Sequence, residues 1–180
     1  SSGSPASTAN RYTANETFFR QQLRHVPPVD PTYWALTIGG LLQRPLVLNH
    51  QAFHDRPSTA VDAAVACIGS TAAQPIIGHA CWRGVPLQLL LDEVVPRDNA
   101  TYAQFFSADG YTTFVETERL TDAILAYEMN GAPLPPEHGF PVRLVVPGLY
   151  GYKMPKWVQR IQLTDTPTKG FWEERGWSAA

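Results

Sequence analysis

Apolar positions along this chain fall mostly in short runs bounded by turn residues, as in strands, and only one stretch keeps a sustained helical period. Apolar runs bounded by turn residues predict strands over residues 33–38 and 45–48, with Gly39-Gly40 as the turn between them. Residues 62–68 read as a small-residue strand that carries Cys67 near its end and gives way to a loop at Gly69-Ser70-Thr71. Strands over 102–106 and 111–115 flank a turn at Asp109-Gly110. The run 124–129 leads into Asn130-Gly131, the strongest short-range hairpin signal. Two more strands follow, at 142–146 and 157–163.

The helical stretch is 85–95, reached through Trp82-Arg83-Gly84. There Leu87, Leu90, Leu91 and Val94 share one face and Pro96 stops the helix. Residues 13–24 (TANETFFRQQLR) read as a short helix or ordered arm that sets Asn15, Phe18 and Phe19 on one side. Prolines 27, 28 and 31 hold residues 25–31 extended. The expected fold is α+β, with mixed β-sheets and short helices. Residues 1–10 read as a linker, and residues 11–180 as one domain.

Composition narrows the function classes. With 44 % hydrophobic and 17 % charged residues, the chain is globular rather than disordered. Its net charge of -2 and lack of a basic stripe argue against nucleic acid as a partner. Sixteen prolines favour short strands and constrained loops over long helices. No apolar run reaches the ~18–20 residues of a membrane span. Two cysteines, Cys67 and Cys81, are too few for a disulfide scaffold, although a Cys67–Cys81 bond stays open for an extracytoplasmic protein.

Several catalytic signatures are missing: there is no Gly-x-Ser-x-Gly elbow, no P-loop and no Gly-x-Gly-x-x-Gly. His50 and His54 have the spacing of a helical zinc pair, but the segment ends at Asp55-Arg56-Pro57 and reads better as a solvated surface pair. Two features remain. Cys67 stands at a strand-to-loop junction, the polar and partly open setting a reactive or metal-binding thiolate needs; a small buried hydrophobe is the alternative. Arg143, Lys153 and Lys156 surround Gly148 and Gly151, as in a concave anion site; a plain turn with solvated cations fits equally.

Residues 125–148 read LAYEMNGAPLPPEHGFPVRLVVPG and continue LYGYKMPKWVQRIQL. This stretch resembles the signature of the sulfite oxidase family, with weaker agreement across roughly residues 11–177. The resemblance implies a molybdopterin cofactor whose molybdenum is bound by Cys67. It also implies pterin contacts from Asn15, Phe18, Phe19, Asp109 (or Ser107), His138, Arg143, Met154, Pro155 and Lys156. The implied activity is oxo transfer on a small sulfur or nitrogen oxide, the alternative being a degenerate binding module of a larger membrane protein. A bacterial subgroup with membrane-anchored domains further implies an extracytoplasmic location and a membrane haem or quinone as electron partner. Two departures stand against sulfite or nitrate as substrate: no arginine falls between Cys67 and Arg83, and Trp177 aligns where sulfite oxidases carry a tyrosine. His79 and Cys81 precede Trp82 near the implied metal pocket, either lining it or simply packing in the fold.

Overall fold

The strand pattern becomes two five-stranded sheets in a computed structural model that describes residues 12–18, 25–67, 76–149 and 151–167. In chain order the elements are β1 (Ala35–Gly40), β2 (Leu46–Asn49), α1 (His50–His54), β3 (Thr59–Cys67), β4 (Ile76–Pro86) and α2 (Leu87–Val94). They continue with β5 (Tyr102–Ser107), β6 (Thr112–Glu116), β7 (Ile124–Met129), β8 (Ala132–Pro133), β9 (Arg143–Val145) and β10 (Val158–Thr164). One sheet has the order β2-β1-β10-β5-β6, its last strand inserted parallel to β1 and antiparallel to β5. The other runs β3-β4-β7-β8, with β9 also paired to β7.

Burial explains the pairing. Val158, Ile161 and Leu163 on β10 are nearly inaccessible, so this strand needs neighbours on both edges and occupies the middle of its sheet. Its own sequence carries this: apolar side chains turned to the core, Gln159 and Arg160 exposed. Asn130 and Gly131 take positive φ of 52° and 79°, the left-handed pair that a two-residue hairpin turn requires between β7 and β8.

The helix starts two residues later than the sequence suggests. Val85 and Pro86 stay in β4, paired with Leu125 and Ile124, and only from Leu87 does the chain turn helical. Leu87, Leu90, Leu91 and Val94 face the core as expected. Val95 ends the helix in the left-handed region, just before Pro96. The first half of β4 had no strand signal, because Gly78 and Ala80 occupy its buried phase and neither carries β propensity.

Two expectations near the start of the chain change. Residues 14–18 form a turn rather than a helix, with Thr17 N and Phe18 N both donating to Ala14 O; the rest of that expected arm, residues 19–24, lies outside the described residues. His50 and His54, expected as a solvated pair, lie half-buried on a real helical turn, α1. Asn49 caps it, its Oδ1 accepting from Ala52 N at 2.8 Å, and fully buried Phe53 anchors it to the core.

The β3–β4 ladder also rules out a Cys67–Cys81 disulfide. Cys81 pairs with Asp62 and Cys67 with Ile76, so the two lie five residues apart along the ladder. At about 3.3 Å per residue that is roughly 16 Å, far beyond the ~7 Å limit for bridged Cα atoms.

Candidate functional site

The stretch with the family resemblance folds into a tight corner after β8. Pro135 O accepts from His138 N at 2.9 Å, and the one-turn helix Pro136–His138 ends at Gly139 with φ 119°. A Cβ at position 139 would lie 2.9 Å from Arg143 Cβ and 3.1 Å from Lys156 Cβ. Glycine is therefore what allows the corner to sit between the two cationic side chains.

His138 is 1 % exposed, and its Nε2 donates to Asn15 O at 2.8 Å. A carbonyl partner places the proton on Nε2. Burial holds the imidazole below its ordinary pKa; the Asn15 hydrogen bond opposes that shift, while the charges of Arg143 and Lys156 add to it. Asn15 is itself fixed: its Nδ2 donates to Met129 O at 3.0 Å, and its Oδ1 accepts from Asn130 Nδ2 at 3.0 Å. The hairpin turn thus orients the segment that orients His138.

Phe18 closes one wall. Its ring lies against Gly78, where any Cβ would collide with it, and meets His138 edge-on at 5.5 Å and Trp82 at 5.7 Å. Trp82 is fully buried and donates from Nε1 to Ala63 O at 3.2 Å.

Arg143 is the most consequential group here. It is 4 % exposed, with Cζ 4.8 Å from the Trp82 ring centroid. Its two hydrogen bonds are long: Nη1 to His138 O at 3.4 Å and Nη2 to Met154 O at 3.3 Å. Nε is buried and has no partner among the described residues. Burial lowers its pKa to about 10, so the group still carries its charge at neutral pH. A buried cation with five donors and two weak acceptors is far from satisfied.

The other buried, unpartnered side-chain atom among the described residues is Ser107 Oγ. It lies in the same neighbourhood: Ser107 pairs with Val158, and Val158 N donates to Val142 O at 3.0 Å, one residue before Arg143. Met154, Pro155 and Lys156 complete the surround. Met154 Sδ accepts from Val146 N at 3.2 Å, Pro155 O accepts from Leu144 N at 2.9 Å, and Lys156 Nζ donates to Glu137 O at 3.0 Å.

Asn15, Phe18, His138, Arg143, Met154, Pro155 and Lys156 therefore come together as the sequence implied. Asp109 sits in the β5–β6 turn with Oδ1 accepting from Tyr111 N at 3.0 Å, and the adjacent Ala108 N donates to Trp157 O, next to Lys156 of the cluster. Lys153 is not part of an anion site at Gly148. It is 1 % exposed, donates to Phe114 O at 2.7 Å and lies 3.7 Å from the Phe114 ring. Cys67 is the last residue of β3; its side chain, Phe19 and Trp177 lie outside what is described. His79 and Cys81 alternate with buried Gly78, Ala80 and Trp82, so they belong to the other face of β4, where His79 meets Tyr12 edge-on at 5.5 Å. Sequence reasoning missed Trp82 as the partner of Arg143 and Gly139 as the spacer; Trp-Arg-Gly and His-Gly-Phe-Pro were the available signals.

Comparison with known proteins agrees across most of the chain. Residues 23–172 match the family model described as the oxidoreductase molybdopterin binding domain. An uncharacterized oxidoreductase of Bacillus subtilis, YuiH, is 31 % identical over 150 residues, covering 82 % of this chain and 74 % of that protein. Mitochondrial sulfite oxidase of Drosophila melanogaster is 30 % identical over 91 % of the chain, and an inducible nitrate reductase of Glycine max 31 % over 77 %. The chain spans only 33 % and 19 % of those two relatives. The sulfane dehydrogenase SoxCD of Paracoccus pantotrophus superposes with a TM-score of 0.81 at 28 % identity, over 87 % of this chain and 44 % of that one.

Proposed function

This chain belongs to the oxidoreductase molybdopterin binding domain family, and from that membership we propose that it performs oxo transfer on a small sulfur or nitrogen oxide. The observation that carries the reading is Arg143: a buried, charged guanidinium whose Nε has no acceptor among the described residues calls for an anionic partner. Molybdopterin, the family's cofactor, has an anionic phosphate and a polar ring system, so the donor set fits it.

In this reading Arg143 and Lys156 hold the anionic part. His138, fixed by Asn15, offers an oriented polar edge. Phe18 and Trp82 exclude water and give the guanidinium an apolar floor. Ser107 suits the mid-domain contact better than Asp109, because its hydroxyl is buried and unspent whereas the carboxylate already holds its own turn. Cys67, the last residue of β3, would supply the thiolate ligand. When bound, the cofactor supplies the two-electron oxo-transfer chemistry, and the protein's part is orientation, charge and access.

We extend the proposal to an extracytoplasmic setting and a membrane haem or quinone electron partner, on the strength of the subgroup resemblance. No helix among the described residues is long and apolar enough to cross a membrane. The test is protein produced in a host that makes the pterin. Stoichiometric molybdenum and turnover with artificial electron carriers are expected, with turnover lost in Cys67→Ala while the fold is kept. Molybdenum without turnover on sulfite, nitrate or sulfoxides would instead indicate a degenerate binding module. No molybdenum at all would overturn the reading.

A further inference from the structure

Helix α1 presents a second arrangement that the proposed oxo-transfer site does not use. His50 and His54 are one turn apart on the same face, with ring centroids 4.4 Å apart and planes inclined at 46°. Tyr127 backs the His54 ring at 4.2 Å, while Trp34 and Phe140 approach the His50 ring at 6.2 and 6.4 Å. Neither imidazole makes a hydrogen bond to any described residue, while the neighbouring Trp34 is held by its Nε1 donating to Val158 O at 3.0 Å. Two imidazoles preset side by side on a capped and anchored turn have the arrangement of a chelating pair.

We propose that His50 and His54 bind a divalent late first-row transition-metal ion, separately from the Arg143 cluster. Imidazole is a borderline ligand, so the affinity order should follow copper above zinc. Among the described residues no third histidine, cysteine, aspartate or glutamate completes a cage. Water therefore fills the remaining positions, making this an exchangeable site rather than a structural one. A cavity of about 300 Å³ lined by Pro31, Thr32, Asn49, His50 and Gln51 opens beside His50. Glu128 and Asp55 lie close enough to act electrostatically on His54 and favour a cation there. Glu128 is shared with Arg83, 3.9 Å away.

The probe is Zn²⁺ or Cu²⁺ added to chelator-washed holoprotein. Saturable binding and a rising melting temperature are expected, with Cu²⁺ giving an electron paramagnetic resonance spectrum of two coordinated imidazole nitrogens. His50→Gln and His54→Gln should each weaken binding at least about tenfold, which corresponds to about 1.4 kcal/mol, and reduce the spectrum to one nitrogen. Both variants should keep their molybdenum and their metal-free turnover. Absence of saturable binding in the parent protein, or binding as tight as the parent's in both single variants, would overturn the proposal. Neither outcome depends on the oxo-transfer reading.

Discussion

The guanidinium of Arg143 lies 4.8 Å from the centroid of the Trp82 ring, and the two residues come from different strands, β9 and β4, on opposite sides of β7. The indole face attracts the cation from outside the guanidinium plane, where it does not compete for the in-plane donors. An aromatic floor of this kind lets a positive charge stay buried without a carboxylate beside it, so that an incoming anion meets the charge at full strength.

Replacing Arg143 by Met should preserve the fold but strip the protein of cofactor. Losing one partner of a buried charged contact costs about 2–5 kcal/mol. The molybdenum-to-protein ratio after gel filtration measures this, and a ratio equal to that of the parent protein would contradict the role assigned to Arg143.

Ser107 and Asp109 should separate cleanly. In cofactor-free protein Ser107→Ala should be within about 1 kcal/mol of neutral, because the hydroxyl it removes has no partner. In loaded protein the same change should lower cofactor retention. Asp109→Ala should do the reverse, costing about 0.5–1.5 kcal/mol of stability through its lost bond to Tyr111 N while sparing the cofactor. Denaturant melts of both forms decide it.

Gly139→Ala should be damaging out of proportion to its size. At φ 119° an L side chain is strained, and the new methyl would press on Arg143 and Lys156. The strain alone is about 1–3 kcal/mol. Alanine at exposed Gly148, where nothing lies within 4 Å, would carry the backbone strain without displacing the cations. Loss of molybdenum only in the Gly139 variant is the expected contrast.

Acid should destabilise the cofactor-free domain. His138 and His54 both have folded pKa values below 6.5, so as pH falls through 6.5 the unfolded chain takes up protons that the folded chain resists. Stability therefore decreases as pH drops below 6.5 and levels off only beneath the lowered folded values. Melting temperatures between pH 8 and pH 5 should show this slope, and His138→Gln should flatten it. An unchanged slope would mean that His138 does not resist protonation.

Local chemistry in the chain determined much of this molecule. Short apolar runs bounded by turn residues set strands β5, β6, β7 and β10, Asn130-Gly131 set the hairpin, and the leucine spacing set the buried face of α2, because each depends on neighbours within a few residues. The run from Leu125 through Leu163 also carried the cofactor class and most residues of the cluster, since a contiguous motif records its own site. Tertiary packing alone decided the rest. Gly78 and Ala80 have no strand preference of their own, and β4 exists there because β3 pairs with it. Lys153 and Arg143 are both cations in one short stretch, yet one is spent on Phe114 and the other is left buried beside Trp82 with an idle donor. That difference depends on strands distant in sequence, and no local pattern encodes it.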